Sequence, residues 1–182
     1  MNYSIIGALS YILFYIYDIN EIKKFHKIIK GAFILGFIIQ IGATIGIIID
    51  NLEYLKISVL GLFITIFGIS FLLYSLFFTL PFEETYLKIG EKRIVYNKGV
   101  YAMSRHPGVI FYIIFYLGLA ILQPNIITIS TYIIWILLNI SYIIFQDLWT
   151  FPRAFDDYHK YRQNTPFLIP TIKSIKSLIE TI

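Results

Sequence analysis

The chain has 182 residues, of which 58% are hydrophobic and 14% are charged, and its mean hydropathy is +0.74. This composition is typical of a polytopic membrane protein and excludes an ordinary soluble domain. The lack of cysteine excludes disulfides, cysteine-ligated zinc and thiol catalysis, and we expect no metal site. The formal net charge of +4 is too small and too scattered to predict nucleic-acid binding. Frequent Ile, Lys, Asn and Tyr are typical of AT-rich microbial genomes, so we expect a prokaryotic protein.

Three uncharged apolar runs predict the first three membrane-spanning helices. A spanning helix needs about 20 apolar residues, and the candidates are residues 3–17, 31–49 and 57–82. The first run lacks a basic start and a small-residue cleavage site, so we expect a span there and not a signal peptide. Residues 1–82 are therefore predicted to form three N-terminal helices.

A fourth run, residues 107–145, is long enough for two more spans. Gln123-Pro124-Asn125 interrupts it, because proline disfavours continued helix and the flanking amides suit a turn. The fold class predicted is an all-α integral membrane protein with five transmembrane helices. Residues 83–182 would comprise a cytoplasmic loop, the transmembrane hairpin and a tail.

The basic residues predict how these helices are oriented. Residues 18–30, 83–107 and 146–182 hold four, five and five of the fifteen Lys and Arg residues. In a five-span arrangement these segments share one side, and the other side has only Lys56. Because cytoplasmic loops carry the excess of Lys and Arg, we expect a multi-pass cell membrane protein with its N-terminus outside and its C-terminus in the cytoplasm.

Two of the basic segments have an amphipathic pattern. Apolar residues recur at helical spacing among lysines in both: Ile22, Phe25 and Ile29 in one, and Ile172, Ile175, Leu178, Ile179 and Ile182 in the other. Such helices lie in the membrane interface, although the pattern equally fits packing extensions of the spans. Gly42 and Gly46 have a GxxxG spacing that favours close approach of two helices.

Transport is not favoured by the predicted spans. Transporters usually place ionisable residues or broken helices near the middle of the membrane. No predicted span has a central acidic or basic residue, and no internal repeat is visible. Polar residues concentrate instead in residues 83–108 and 146–170, on the predicted cytoplasmic side.

The segment Gly99-Val-Tyr-Ala-Met-Ser-Arg-His-Pro-Gly108 places Tyr101, Arg105 and His106 directly before an apolar run. A charge or an imidazole beside a bilayer is costly and indicates function, although Arg105 and His106 also fit a role as topology anchors. Because the hairpin reverses the chain, its two ends should reach the same membrane face. We therefore expect this segment to lie beside Gln146 and Asp147 in a pocket roofed by cytoplasmic loops.

The order of these motifs resembles the isoprenylcysteine carboxyl methyltransferases and the related phospholipid N-methyltransferases. The shared pattern comprises Gly-x-Tyr-x-x-x-Arg-His-Pro, a two-helix hairpin, an acidic pair, Tyr-x-x-Tyr and a proline-rich end, and it covers about residues 88–170. The resemblance implies a methyltransferase that uses S-adenosylmethionine in a membrane-embedded fold. Consistent with this, the chain has no GxGxxG fingerprint of a Rossmann domain.

The resemblance also implies which residues bind the cofactor. An extended segment before Gly99, the tyrosine at 101 and the segment that begins at His106 match the family's cofactor-binding elements. Counting back from Tyr158-His-Lys-Tyr161, Gln146 takes the place of the family's cofactor-binding acid. The implied set is Arg93, Ile94, Val95, Tyr96, Tyr101, His106, Pro107, Gly108, Val109 and Gln146.

Three positions depart from the family pattern. Val109 replaces a tyrosine, Gln146 replaces a glutamate, and Tyr142 replaces an arginine that contacts the substrate carboxylate. The loss of that arginine argues against an unchanged prenylcysteine carboxylate site. Asp147 could supply the missing carboxylate, and Arg153, two helical turns after Gln146, could supply the missing positive charge to the substrate.

Methyl transfer from a sulfonium is an in-line displacement that mainly needs alignment of the reacting atoms. Tyr96 and Tyr101 are candidates to face the sulfonium, at about 0.5–2 kcal/mol per good contact. Arg105 could pair with the carboxylate of the methyl donor or hold the loop. His106 could hydrogen-bond the cofactor or act as base toward an amine. Arg105, His106 and Asp147 are therefore the predicted catalytic residues.

The favoured hypothesis is a methyltransferase whose lipophilic acceptor, a carboxylate or an amine, enters from the bilayer between helices. A non-catalytic membrane module is the first alternative, and the missing arginine and acid favour it. The second is a membrane reductase of the sterol-reductase type, whose C-terminal part has a similar layout. The sequence leaves the oligomeric state open.

Overall fold

The computed structural model describes residues 2–79 and 93–181, and within them it is all-helical. The α-helices are α1 (Tyr3–Lys23), α2 (Ala32–Asp50), α3 (Val59–Leu73), α4 (Val100–Met103), α5 (Pro107–Leu122), α6 (Ile126–Phe145), α7 (Phe151–Ala154), α8 (Tyr158–Asn164) and α9 (Ile172–Thr181). Two 3-10 turns, Lys27–Gly31 and Leu52–Tyr54, flank α2. Two π-helical turns, Tyr74–Phe78 and Gln146–Thr150, extend α3 and α6.

Four segments of the described chain are long and apolar enough to cross a membrane: Tyr3–Lys23, Lys27–Asp50, Val59–Phe78 and Ile126–Ala154. This confirms the predicted all-helical fold and indicates a membrane protein, with four candidate spans among the described residues where five were predicted. Helix α5 is also apolar, but it has 16 residues, fewer than the roughly 20 that a straight span needs. The last residues of the predicted third span, the loop up to residue 92 and Ile182 lie outside the described residues.

Helix α1 is longer than predicted, because Asp18 does not end it. The expected span stopped at residue 17, before the first charge, whereas α1 continues to Lys23. Asp18 is buried and accepts a hydrogen bond from Thr150 Oγ1 at 3.2 Å, so its carboxylate has a partner inside the protein. Lys24 then adopts a left-handed conformation with φ 55° and ends the helix.

The first amphipathic segment does not form the predicted interfacial helix. The left-handed residue Lys24 separates Ile22 from Phe25, and the chain continues into the 3-10 turn Lys27–Gly31. Phe25 and Ile28 are exposed. The second segment forms a helix, α9.

Small residues and one large ring join α1 to α6. Trp135 of α6 is fully buried, and its ring lies against Gly7 of α1, where a Cβ atom would collide with it. Trp135 Nε1 donates a hydrogen bond to the carbonyl of Ser4 at 3.0 Å. The ring therefore packs in hydrocarbon surroundings while its polar atom is satisfied.

A polar network lies between α1, α2 and α5. Gln40 accepts a hydrogen bond from Ser10 at 2.8 Å and donates one to Tyr116 at 3.1 Å. The hydroxyls of Tyr11 and Tyr112 are 2.5 Å apart. Polar groups at membrane depth need partners within the protein, and interhelical hydrogen bonds there contribute about 0.6 kcal/mol each on average. The network therefore sets the relative positions of the three helices.

Helix α3 packs against α5 through glycines. A Cβ atom at Gly68 would collide with the backbone of Phe115, and one at Gly118 would lie 2.5 Å from Thr65 N. The predicted GxxxG interface is wrong, because Gly42 has nothing within 4 Å of its Cβ position among the described residues. Gly46 alone lies in a contact, against the ring of Tyr3.

The predicted hairpin is confirmed by α5 and α6. Asn125 caps α6 by accepting hydrogen bonds from Ile127 N and Thr128 N at 2.9 and 3.2 Å. Gln123 Nε2 donates to the carbonyls of Ile48 and Asn51, which ties the turn to the end of α2. The start of α5 and the end of α6 consequently meet at the other end of the bundle.

Candidate functional site

The segment from Gly99 to Pro107 is held by its own turns and by the C-terminal loop. Gly99 has φ 55° and ψ −136°, a conformation that glycine adopts without strain. Arg105 N donates to the carbonyl of Pro166 at 2.9 Å. Ser104 Oγ accepts a hydrogen bond from His106 N at 3.2 Å, and Pro107 begins α5, where its missing N–H costs nothing.

Asp147 is the centre of a polar group that we call the Asp147 cluster, made of Arg105, His106, Asp147, Tyr158 and the exposed Arg162. Asp147 Oδ1 lies 3.1 Å from Arg105 Nη1 and 3.5 Å from His106 Nε2. Tyr158 Oη donates a hydrogen bond to the same oxygen at 2.5 Å, and Arg162 Nε is 3.7 Å from Oδ2. The hairpin thus brings Arg105 and His106 beside Asp147, as predicted.

The side chains at the centre of the cluster are buried, but some of their nitrogen atoms have no hydrogen-bond partner in the described part of the chain. The side chains of Arg105, His106 and Asp147 are 8%, 4% and 4% exposed. Among the described residues, Arg105 Nε and Nη1 and His106 Nε2 have no partner in hydrogen-bond geometry, so the contact of Nη1 with Asp147 is an ion pair without a directed hydrogen bond. A buried unsatisfied donor costs about 1–3 kcal/mol. The guanidinium therefore has unused capacity for an anionic acceptor.

His106 is held as a neutral imidazole. Burial lowers its pKa, the neighbouring Arg105 acts in the same direction, and Asp147 only partly opposes them. Its ring stacks on Phe151 at 5.7 Å between centroids and meets Phe167 edge-on at 5.1 Å. Because Nε2 faces Asp147, the N–H is expected on that nitrogen and the lone pair on Nδ1.

Tyr158 and Tyr161 of α8 join the tail to the site. Burial and the hydrogen bond to Asp147 raise the pKa of Tyr158, so its hydroxyl stays protonated and donates. Tyr161 Oη donates to the carbonyl of Tyr101 at 2.7 Å, and burial raises its pKa as well. Helix α8 therefore contacts both α4 and the end of α6.

Both π-helical turns flank the Gly99–Gly108 segment. Tyr101 Oη donates to the carbonyl of Ser75 at 3.0 Å, and Ser75 belongs to the first turn. Asp147 belongs to the second turn. Single π-helical turns inside α-helices occur frequently at functional sites, and here each presents a residue to the segment that carries the predicted chemistry.

Comparison with protein-family models, with curated proteins and with solved structures found no match to this chain. The assignment of a function therefore depends on the side chains of the Asp147 cluster. The remaining sequence-predicted residues fall into three groups, which differ in the contacts that they make.

The predicted cofactor segment, residues 93–96, is tied to the tail on one side and to α1 on the other. Arg93 Nη2 pairs with Glu21 at 2.7 Å, and Asp157 Oδ1 accepts a hydrogen bond from Val95 N at 2.8 Å. Ile94 is exposed. Tyr96 meets Tyr101 edge-to-face, with 6.3 Å between ring centroids. The rings of the two tyrosines are thus in contact.

Tyr142 and Gln146 lie in a second buried group, the Asp18 cluster, made of Asp18, Tyr142, Gln146 and Thr150. Gln146 Nε2 donates to Tyr142 Oη at 2.9 Å, and both residues lie beside the carboxylate of Asp18. The structure therefore directs these two residues toward α1. They are not partners of Arg105 or His106 in the contacts that the described residues make.

The other predicted residues have ordinary structural contacts. Arg153 is exposed, its guanidinium lies 5.0 Å from the Trp149 ring centroid, and it donates to the Trp149 carbonyl. Val109 is buried in the apolar core. Gly108 faces Ser75 of the first π-helical turn.

Sequence reasoning missed Asp18 and Arg162, and it gave Tyr158 no role beyond the Tyr-x-x-Tyr motif. Asp18 was interpreted as the end of a span, yet the apolar Ile19 and Ile22 that follow it were a signal that the helix continues. The Tyr-x-x-Tyr spacing of Tyr158 and Tyr161 was recognised. The two hydroxyls have different hydrogen-bond acceptors: a carboxylate for Tyr158 and a backbone carbonyl for Tyr161. These acceptors depend on the tertiary structure.

An apolar cavity of about 750 Å³ lies between α3, α5 and α6, lined by residues that include Ile64, Ile121 and Pro124. It opens near the α5–α6 turn, at the end of the bundle opposite the Asp147 cluster. Its position and apolar lining fit a gap filled by lipid chains. It does not serve the predicted chemistry.

Proposed function

We propose that the chain is an S-adenosylmethionine-dependent membrane methyltransferase related to the isoprenylcysteine carboxyl and phospholipid N-methyltransferases. The observation that carries the proposal is the Arg105 guanidinium, 8% exposed: its Nε has no hydrogen-bond acceptor among the described residues, and its Nη1 contacts Asp147 only as an ion pair. A carboxylate is the acceptor that a guanidinium fork prefers. The amino-acid end of the methyl donor has such a carboxylate, so these residues fit the cofactor.

Each residue of the site has a separate task in this proposal. Arg105 binds the carboxylate of the donor, and Tyr96 and Tyr101 face its positive sulfur. The bound donor would supply an activated methyl group, so the protein mainly aligns the acceptor in line with it. His106 Nδ1 takes up a proton when the acceptor is an amine, and Asp147 stabilises the resulting imidazolium at Nε2.

The acceptor is lipophilic and reaches the site from the bilayer. Helix α5 begins at Pro107, directly after Arg105 and His106. In this proposal the two side chains therefore lie at the start of a membrane helix. The position that the family uses for a substrate-binding arginine is Tyr142, which lies beside Asp18. We therefore propose a lipid acceptor and not an unchanged prenylcysteine carboxylate.

We further propose five spans in a prokaryotic cell membrane, with the N-terminus outside and the C-terminus in the cytoplasm. Helix α5 would be the fifth span; its 16 residues are about 24 Å long, and the bilayer thins locally to match. Support comes from contacts between the three basic segments, which meet at one end of the bundle through Arg93–Glu21, Arg105–Asp147 and Thr150–Asp18. A shared cytoplasmic side explains these contacts.

The test is binding and turnover by the full chain in lipid nanodiscs. Calorimetry should show binding of S-adenosylmethionine, and radiolabelled methyl should appear in a lipid extract. Arg105→Gln should weaken binding by about 10- to 150-fold, since a charge-assisted hydrogen bond contributes about 1.5–3 kcal/mol. The control, Arg153→Gln, removes an exposed arginine of the C-terminal tail and should bind as the unaltered chain does.

Absence of both donor binding and labelled product would refute the proposal. A non-catalytic membrane module would then be the better account, particularly if His106→Ala and Tyr101→Phe leave cellular function undiminished. Binding of a nicotinamide cofactor in place of the methyl donor would instead identify a membrane reductase.

A further inference from the structure

We propose that α9 is a membrane-surface helix whose isoleucine face enters the lipid interface and whose lysines bind anionic lipid headgroups. The inference rests on the membrane placement given under the proposed function. It goes beyond that function by identifying the partner of a helix that contributes no residue to the predicted chemistry.

The faces of α9 are inverted relative to those of an ordinary surface helix. Its small polar residues face the protein, because Ser174 is buried and Thr181 Oγ1 accepts a hydrogen bond from Gly99 N at 3.0 Å. Its isoleucines face outward, with Ile172 79% and Ile179 70% exposed. A helix on a soluble protein buries its apolar stripe against the core, so this outward stripe needs an apolar medium.

The geometry of α9 matches a helix that lies along a bilayer surface. At about 100° per residue, Ile172, Ile175 and Ile179 occupy a narrow arc on one side of the helix. Lys176 adjoins that arc on one side, and Glu180 and Lys173 lie further round on the same flank. An apolar face with lysines along its edge is the pattern by which interfacial helices bind anionic membranes.

A second exposed apolar group lies at the same end of the helix bundle as α9. Its presence favours a membrane as the partner over a single protein. Phe25 and Ile28 are exposed in the connection between α1 and α2, among Lys23, Lys24, Lys27 and Lys30. This connection follows Glu21, which pairs with Arg93 at 2.7 Å, so it belongs to the end of the bundle that holds the Asp147 cluster. Two separate apolar groups bordered by lysines at one end fit an extended anionic surface.

The contact between α9 and α4 gives this lipid binding a structural consequence. Gly99, whose N–H is bound by Thr181, immediately precedes α4, and α4 carries Tyr101. A helix that rests on lipid therefore also sets the position of the residue that faces the proposed methyl donor.

The chain has no cysteine, so single-cysteine variants of the full protein can test this. Ile179→Cys and Glu180→Cys, labelled with bimane, are reconstituted into phosphatidylcholine vesicles with and without phosphatidylglycerol. Spin-labelled lipid should quench the label at 179 about threefold more than at 180, and aqueous iodide should show the reverse order. Phosphatidylglycerol should increase the lipid quenching at 179. Adding Lys173→Gln and Lys176→Gln should abolish that increase.

Equal quenching of both positions by iodide would overturn the proposal, because α9 would then lie in water. Protection of position 179 from both quenchers would also overturn it and would indicate a protein on this face, such as a second copy of the chain. The measurement uses no methyl donor. Failure to methylate would therefore refute the proposed function and leave this result unaffected.

Discussion

Arg105 and Asp147, at the two ends of the α5–α6 hairpin, form a buried ion pair in which Nη1 lies 3.1 Å from Oδ1. The pair holds the start of one helix against the end of the next. Tyr158 and His106 contact the same carboxylate oxygen, so Asp147 is shared between the structure of the hairpin and the proposed chemistry. Variants at this position should reveal both roles.

Asp147→Ala should destabilise the protein strongly, because it leaves Arg105 buried without its counter-charge. Removal of one partner of a buried pair costs about 3–5 kcal/mol. The matched control is Glu21→Ala, whose pair with Arg93 is 21% exposed on both sides and is expected to contribute about 0.2–1 kcal/mol. The free energy of unfolding in mixed detergent micelles measures both, and equal losses would contradict the assignment.

Tyr158→Phe should lower stability more than Tyr161→Phe. Tyr158 donates to a carboxylate at 2.5 Å, a bond of about 1.5–3 kcal/mol, whereas Tyr161 donates to a neutral carbonyl at 2.7 Å, a bond of about 0.5–1.5 kcal/mol. The two substitutions remove the same atom from neighbouring turns of α8. Thermal midpoints measured in one detergent should rank the variants in this order; the opposite ranking would count against a charged Asp147.

Stability should fall as the pH drops below about 6.5, the value at which an unperturbed histidine titrates. Burial lowers the pKa of His106 in the folded protein. The unfolded chain therefore takes up its proton first on acidification, and stability decreases where the unfolded state binds more protons. Above that range both states are neutral at this residue and no loss is expected.

The measurement is the thermal midpoint between pH 7.5 and 5.5 for the unaltered chain and for His106→Gln. The thermal midpoint of His106→Gln should fall less on acidification than that of the unaltered chain, because the contribution of His106 is absent. His159→Gln, at an exposed position, is the control and should retain it. Identical curves for all three proteins would show that folding does not lower the pKa of His106.

Gly68→Ala should loosen the contact of α3 with α5, because the added Cβ collides with the backbone of Phe115. Overpacking of this kind typically costs about 1–3 kcal/mol. Gly42→Ala is a matched helical control, since nothing lies within 4 Å of its Cβ position in the described chain. Its unfolding free energy should be unchanged or slightly higher, and a comparable loss in both variants would refute the packing argument.

Asp18 and Thr150 should be energetically coupled. The hydrogen bond of 3.2 Å between them joins α1 to the π-helical turn that carries Asp147. A double-mutant cycle with Asp18→Ala and Thr150→Val should give an interaction energy of about 0.5–3 kcal/mol, as expected for residues in one hydrogen-bonded group. A value near zero would mean that α1 does not support this turn.

Local signals in the sequence predicted most of the helices correctly. The length of each apolar run and the Gln123-Pro124-Asn125 turn placed α2, α5 and α6 within one or two residues of their bounds. The predicted end of α1 was wrong because a charged residue was taken to be solvated. Asp18 is instead satisfied by Thr150, a residue of a distant helix that no local pattern reveals.

The sequence by itself determined that the two ends of the hairpin meet, because two antiparallel helices joined by a short turn have no other arrangement. It also singled out Arg105 and His106, since polar residues at the start of an apolar helix are costly. Only the tertiary structure decided which neighbour they meet. Adjacent residues on a helix point about 100° apart, so Asp147 faces Arg105 while Gln146 turns toward Asp18. The position of a residue in the chain does not show which other helix lies in the direction of its side chain.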